Sequence, residues 1–186
     1  EFEQMEMQFF IPPGSQKEWY THWKEKRLQW HLALNMGQEN YRFHDHDKLA
    51  HYADAACDIE FKFPFGFKEL EGIHSRTDFD LGNHEKFSGK KLQYFDPEKN
   101  ENITPFVLET SIGLDRMFLA VFSHALQEET LDNNTARVVL KIPPFLAPTK
   151  VAILPLVKKD GLPALANEIV DQLKWDFAVA YDEKDA

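Results

Sequence analysis

The spacing of apolar residues changes several times along this chain, and each change marks an element. In the first ten residues polar and apolar positions alternate. Phe2, Gln4, Glu6 and Gln8 fall on one side of an extended strand, and Met5, Met7 and Phe9 on the other. IPPGS at 11–15 is a turn, and Ser15 with Glu18 has the spacing of a capping box. The helix this predicts carries Trp19, Trp23, Trp30 and Leu34 near one stripe, which reads as core packing, and Gly37 is its stop. Residues 58–63 alternate again, Pro64 and Gly66 turn the chain, and Phe67, Glu69, Glu71 and Ile73 share a face of the next strand. In PFVLETSIGLDRMFLAVFSHALQ, 105–127, Val107 and Leu108 are extended and the chain turns at Gly113. Leu114, Met117, Phe118, Val121, Phe122, Ala125 and Leu126 then follow helical spacing.

Between these elements lie polar stretches. HDHD (His44, Asp45, His46, Asp47) reads as a loop leading into a helix around 49–56, and 86–104 as a hairpin connection turning at FDPEKN. Residues 136–141 return to strand, and PPFLAPT at 143–149 has the composition of an interdomain linker. Then come a strand in KVAILPLV, an amphipathic helix at 162–173 and a strand in FAVAY, the start of an α/β unit. The expected fold class is α+β: an antiparallel sheet with strands near 1–10, 58–64, 67–74 and 105–111. Helices would cover one of its faces and the site would occupy the other.

Composition narrows the functional classes. A chain of 186 residues with 43% hydrophobic residues has enough apolar surface for a real core. A net charge of -10 argues against nucleic-acid binding through a diffuse basic surface, so any RNA contact is local and no DNA partner is expected. The single cysteine, Cys57, excludes an internal disulfide and reads as a small buried apolar residue. No apolar run reaches the length of a membrane helix, and no signal-peptide pattern is present, so no membrane partner is expected. EFEQMEMQFF without an initiator methionine and AYDEKDA just after a strand read as cuts through a larger protein.

Charged residues gather at three places. Ser111 is placed to cap the helix after Gly113 and Asp115 suits its first turn. Arg116 does not, unless an anion such as phosphate sits at that helix end. Arg76, Asp78 and Asp80 follow directly on the strand carrying Glu69 and Glu71. Glu6 lies on a strand face shared with Phe2. Ordinary solvated charge and a site for a metal-chelated phosphate and an ammonium both fit this pattern. Alternating His and Asp in HDHD also suits a metal, but neighbours on a strand point to opposite faces and no Cys or HExxH spacing accompanies it.

The ETSIGLDR block resembles the third signature motif of class II aminoacyl-tRNA synthetases, a strand, a glycine turn and a helix whose early arginine holds the γ-phosphate of ATP. Its form is close to that of the glycyl-tRNA synthetase family, of the single-chain homodimeric type. EFEQMEMQFF, HYADAACDIEFKFPFGFKELEGIHSRTDFDLGNH and LKIPPFLAPTKVAILPLVK fit the same family in the same order, so the resemblance spans nearly the whole chain. It implies the C-terminal part of a class II catalytic core at 1–142, a linker at 143–149, and at 150–186 the truncated start of an anticodon-binding α/β domain. The implied activity is ATP-dependent activation of glycine and its transfer to tRNA(Gly) in the cytoplasm, by a parent enzyme that is a homodimer. The first motif and the second-motif arginine would precede Glu1, so the fragment alone is expected to be inactive.

The resemblance also implies roles for individual residues. Arg116 would hold the γ-phosphate, Phe2 would stack on adenine, and Glu69 would serve on the ATP side, there binding Mg²⁺. Glu6, Arg76, Glu109 and Ser111 would bind glycine, the first and last two at its ammonium. Glu109 matches both a metal-side and an ammonium position, and the ammonium role is preferred. Two other classes remain: a synthetase-like accessory module without the chemistry, free to lose Arg116, Glu109 and Arg76, and a metal protein built on HDHD.

Overall fold

The alternating stretches of the first 139 residues join in one antiparallel sheet. The structure, a computed structural model, describes residues 3–132 and 134–184, and the chain divides into two compact units, Glu1–Val139 and Leu140–Ala186. The elements run β1 (Gln4–Ile11), α1 (Gln16–Leu32), β2 (Tyr41–Asp45), β3 (Ala55–Phe63), β4 (Gly66–Thr77), α2 (Phe79–Ser88), β5 (Tyr94–Asp96) and β6 (Glu101–Ile103). They continue with β7 (Phe106–Gly113), α3 (Leu114–Ala125), β8 (Leu126–Thr130) and β9 (Ala136–Leu140). The main sheet has the order β1-β7-β4-β3-β2 with every neighbouring pair antiparallel, as the alternation predicts. In the second unit β10 (Val151–Ile153) and β11 (Val179–Tyr181) pair in parallel, joined through α4 (Leu162–Leu173).

Cross-strand register sorts the side chains of the main sheet onto two faces. On one, Ile59, Phe61 and Phe63 of β3, Ile73 of β4 and Ile112 of β7 are buried with Met117 and Ala120 of α3. Phe9 of β1 meets Trp19 and Trp23 of α1 at ring-centroid distances of 4.8 and 5.3 Å, so these tryptophans are packing. Trp30 is exposed, with the Arg27 guanidinium over its ring. Cys57 is fully buried in the same core, and burial pushes its thiol up, away from nucleophilic reactivity.

Glu69 and Glu71 do not share a face, contrary to simple alternation. Ile59 pairs with Glu71 but Glu60 pairs with Glu69, so Leu70 is an extra residue on β4, a bulge. Leu70 turns into the core. Glu71 points to the helix-covered face and is 0% exposed. Its Oε1 accepts from Arg27 Nε at 2.5 Å, and its Oε2 lies 2.7 Å from His31 Nε2, both partners on α1. Burial alone would raise the Glu71 carboxyl, but the hydrogen bonds from His31 and Arg27 and the guanidinium charge outweigh it and hold the group below its ordinary value.

Other local expectations are corrected by tertiary pairing. HDHD is only half loop: His44 and Asp45 close the edge strand β2, opposite Asp58 and Cys57, and His46 and Asp47 follow it outside the strand. Short, polar edge strands carry little apolar signal. No helix forms at 49–56, because Ala55 and Ala56 pair with Ser75 and His74 at the start of β3. Residues 79–88 are helical, ended by Gly89 at φ 69, and the hairpin around FDPEKN is confined to β5 and β6. Ser15 makes no side-chain cap on α1, its hydroxyl donating to the Pro12 carbonyl at 2.7 Å. Ser111 does not cap α3, since β7 runs on to Gly113 and Ser111 Oγ accepts from Gln4 Nε2 at 3.2 Å. Gly66, at φ 103, makes the turn between β3 and β4 as expected.

Glu71→Gln should destabilise the chain by about 3 kcal/mol, because it strips the anion from a buried, doubly bonded pair. A carboxyl held low in the folded state contributes fully above its unfolded value and loses that contribution as pH falls through its folded value. Urea titrations at pH 7 and at pH 4 or below should therefore show the parent and the variant converging in acid.

Candidate active site

The face of the main sheet opposite α1 collects the residues singled out by charge. Glu6 of β1 pairs with Ser111 of β7, and Ser111 pairs on its other side with Gly72 of β4. One step along, Gln8 pairs with Glu109, and Glu109 with His74. Residues directly opposite in an antiparallel sheet point the same way, so Glu6, Gln8, Glu109, Ser111 and His74 share this face, with Asp58 of β3 beyond Gly72.

Two charged clusters occupy its ends. At one, Arg76 Nε donates to Asp80 Oδ2 at 2.7 Å and Arg76 Nη1 to Glu109 Oε1 at 3.0 Å, while Gln8 Nε2 donates to Glu109 Oε2 at 2.5 Å. The Arg76 guanidinium also stacks over Tyr52 at 4.2 Å. The Asp80 hydrogen bond and the charge of Glu109 raise the Arg76 pKa above its ordinary value and keep it charged. Side-chain exposures of 20% for Arg76 and 12% for Glu109 make this pair well shielded from water. Its geometry is that of a preset carboxylate whose orientation is imposed by a cation and an amide.

At the other end Arg116, in the first turn of α3, has Nη1 3.1 Å from the Glu69 carbonyl and 3.3 Å from Glu69 Oε2. Both side chains are about half exposed, at 43% and 52%. They line a cavity of about 360 Å³ with Phe63, Phe65, Lys68 and Leu119. Glu69 and Arg76 lie seven residues apart on β4, roughly 20 Å at the rise of a strand. Between the clusters lie Ser111 and Gly72.

The structure therefore brings Glu6, Arg76, Glu109 and Ser111 together, with Arg116 and Glu69 at the far end. Phe2 lies outside the described residues. Glu71, on the opposite face, has no access to the site. Among the described residues no group of three or more His, Cys, Asp or Glu side chains is placed to hold a metal ion. Mg²⁺ is commonly held by one or two carboxylates plus substrate phosphates, and the half-exposed Glu69 carboxylate fits that smaller role. Gln8, on the Glu6 face of β1, and His74 were not among the residues assigned a role from the sequence. Their signal was the period of two, which aligns Gln8 with Glu6, and the same period counted back from Arg76 to His74. HDHD contributes His46, whose Nε2 lies 2.9 Å from Asp58 Oδ2 at the edge of the face.

The fold is similar to that of a solved aminoacyl-tRNA synthetase. The solved Giardia lamblia prolyl-tRNA synthetase in complex with prolyl-adenylate superposes with a TM-score of 0.59 over 98% of this chain and 36% of that one, at 17% identity. No family model matches the chain. Curated glycine–tRNA ligases are far more similar in sequence: 51% identity with that of Chlorobaculum tepidum over 98% of this chain, 50% with that of Borrelia hermsii over 98%, and 46% with that of Treponema denticola over 100%. Over this span the chain is a homologue of the glycine–tRNA ligases. It covers 39%, 42% and 43% of those relatives, about two fifths of their length.

The two clusters should respond differently to mutation. Glu69→Gln removes an exposed pair and should shift unfolding free energy by less than about 0.5 kcal/mol. Arg76→Ala leaves the shielded Glu109 carboxylate with one partner fewer and should cost about 1–2 kcal/mol. Thermal and urea unfolding of the two variants checks the contrast.

Proposed function

We propose that this chain is the motif-bearing part of a glycine–tRNA ligase, which activates glycine with ATP and transfers it to tRNA(Gly). The observation that carries this is the 46–51% identity to curated glycine–tRNA ligases over nearly all of the chain. The site geometry is compatible with it. An accessory module without chemistry has no need of a shielded Arg76–Glu109 pair and an open Arg116 end on one sheet face.

In the first step the glycine carboxylate attacks the α-phosphate of ATP and pyrophosphate leaves. In the second a terminal ribose hydroxyl of the tRNA takes the glycyl group from the adenylate. Both steps rely on placement and charge stabilisation, and neither needs a protein nucleophile. Glu109, oriented by Arg76 and Gln8, accepts the glycine ammonium together with Glu6 and Ser111. Arg76 sits beside them at the substrate site. Arg116 holds the γ-phosphate at the positive end of α3, and Phe2 stacks on adenine. Mg²⁺, held by Glu69 and the phosphates, would supply charge neutralisation at the triphosphate.

The activity belongs to the whole protein, acting as a homodimer in the cytoplasm. The second unit is the opening of an anticodon-binding domain, reached through the linker at 143–149. Selection of glycine is steric as well as electrostatic: the ammonium and carboxylate are gripped, and a Cβ has no room.

In a full-length ligase carrying this segment, Glu109→Gln should lower glycine-dependent ATP–pyrophosphate exchange roughly ten- to a hundred-fold, the effect of losing one charge-assisted contact. Arg116→Ala should instead raise the KM for ATP with little change in amino-acid preference. Undiminished glycine activation by the Glu109→Gln enzyme would overturn the ammonium assignment.

A further inference from the structure

Within the glycine site just proposed, and resting on that reading, one residue has no role yet. His74 stands on the site face of β4, opposite Glu109 on β7 and opposite Ala56 on β3. Two residues before it, Gly72 is the only position of this face without a side chain between Ser111 and Asp58. A Cβ built on Gly72 would lie 2.9 Å from His74 Cε1 and 3.8 Å from Asp58 Oδ1. The imidazole is therefore folded over the Gly72 backbone and already fills the space above it on the β3 side.

We propose that His74 is a specificity-determining residue, the wall that closes the amino-acid site against a substrate side chain. An amino acid whose ammonium rests among Glu6, Glu109 and Ser111 has Gly72 of β4 beside it, with the His74 imidazole over that backbone. Any group on its Cα directed toward β3 meets the His74 ring. The ring is held from several sides. The site-face groups around it are Glu109 on β7, Asp58 on β3, Arg76 on β4, and His46, which is bonded to Asp58 and has its ring centroid 6.0 Å from that of His74. Its Nδ1 is buried without a hydrogen-bond partner among the described residues. Burial pushes the imidazole below its ordinary value, against the opposing charges of Glu109 and Asp58, which favours a neutral ring that does not compete with the substrate ammonium for Glu109.

The proposal makes His74 a residue whose removal changes which amino acid is accepted more than how well glycine is used. In full-length ligase, ATP–pyrophosphate exchange is measured with glycine and with L-alanine for the parent, His74→Ala and His74→Phe. Opening the wall should raise the alanine-to-glycine ratio of kcat/KM by about ten-fold or more, the scale of one methyl group in a close-fitting pocket. The phenylalanine variant keeps the bulk and should keep the parent's ratio. If His74→Ala lowers the melting temperature so far that no active enzyme is recovered, His74→Asn, smaller than imidazole but still polar, carries the same expectation. A ratio within two-fold of the parent's in a folded small-side-chain variant overturns the proposal, as does a phenylalanine variant that accepts alanine. A parent enzyme that fails to form pyrophosphate-exchangeable adenylate with glycine overturns the underlying reading of the site instead.

Discussion

The arrangement of this molecule turns on a single extra residue in β4. Leu70 bulges into the core, and from that point the two halves of the strand present opposite sets of side chains. Glu71, left on the helix-covered face, is a buried carboxylate that would be costly alone. Arg27 of α1 neutralises it and both Arg27 and His31 hydrogen-bond it, and in doing so they tie the helix to the strand at the bulge. Glu69, two residues earlier, is thereby left on the other face beside Arg116. Without the bulge the two glutamates would compete for one environment. With it, one anchors the helix and the other pairs with Arg116 on the opposite face.

The register around β7 does the rest. As the neighbour of both β1 and β4, β7 sets Glu109 between Gln8 and His74, and Ser111 between Glu6 and Gly72. Residues more than a hundred positions apart in the chain thus become adjacent with fixed spacing. The pairing of Arg76 with Glu109 and Asp80 then orients the carboxylate before any substrate arrives. Such preset charge suits chemistry that is governed by placement rather than by a reactive side chain. The chain as a whole is strongly acidic, with a net charge of -10, and the arginines of the site are local exceptions held by acidic partners.

Much of this was legible in advance where local pattern and tertiary role agree. The period of two located β1, β3, β4 and β7, and helical spacing located α1, α3 and α4. Where they disagree, the local reading failed. His44 and Asp45 look like loop because an edge strand needs no apolar alternation, and their partner β3 supplies the reason to be extended. Residues 49–56 look helical until the pairing of Ala55 and Ala56 with β4 is taken into account. Ser15 and Ser111 both have the chemistry of helix caps, yet each is engaged by a neighbour that the sequence does not reveal, the Pro12 carbonyl and the Gln4 amide.

The sequence by itself determined the antiparallel α+β architecture and marked the charged positions worth following, since periodicity and the ETSIGLDR block are properties of neighbours along the chain. Only the tertiary structure decided that Glu69 and Glu71 part company, that Gln8 and Arg76 share Glu109, and that His74 covers Gly72. The reason is physical. A strand's side-chain period is a local backbone property, whereas a bulge, a register and a buried ion pair are set by what lies across the sheet and on the helix above it.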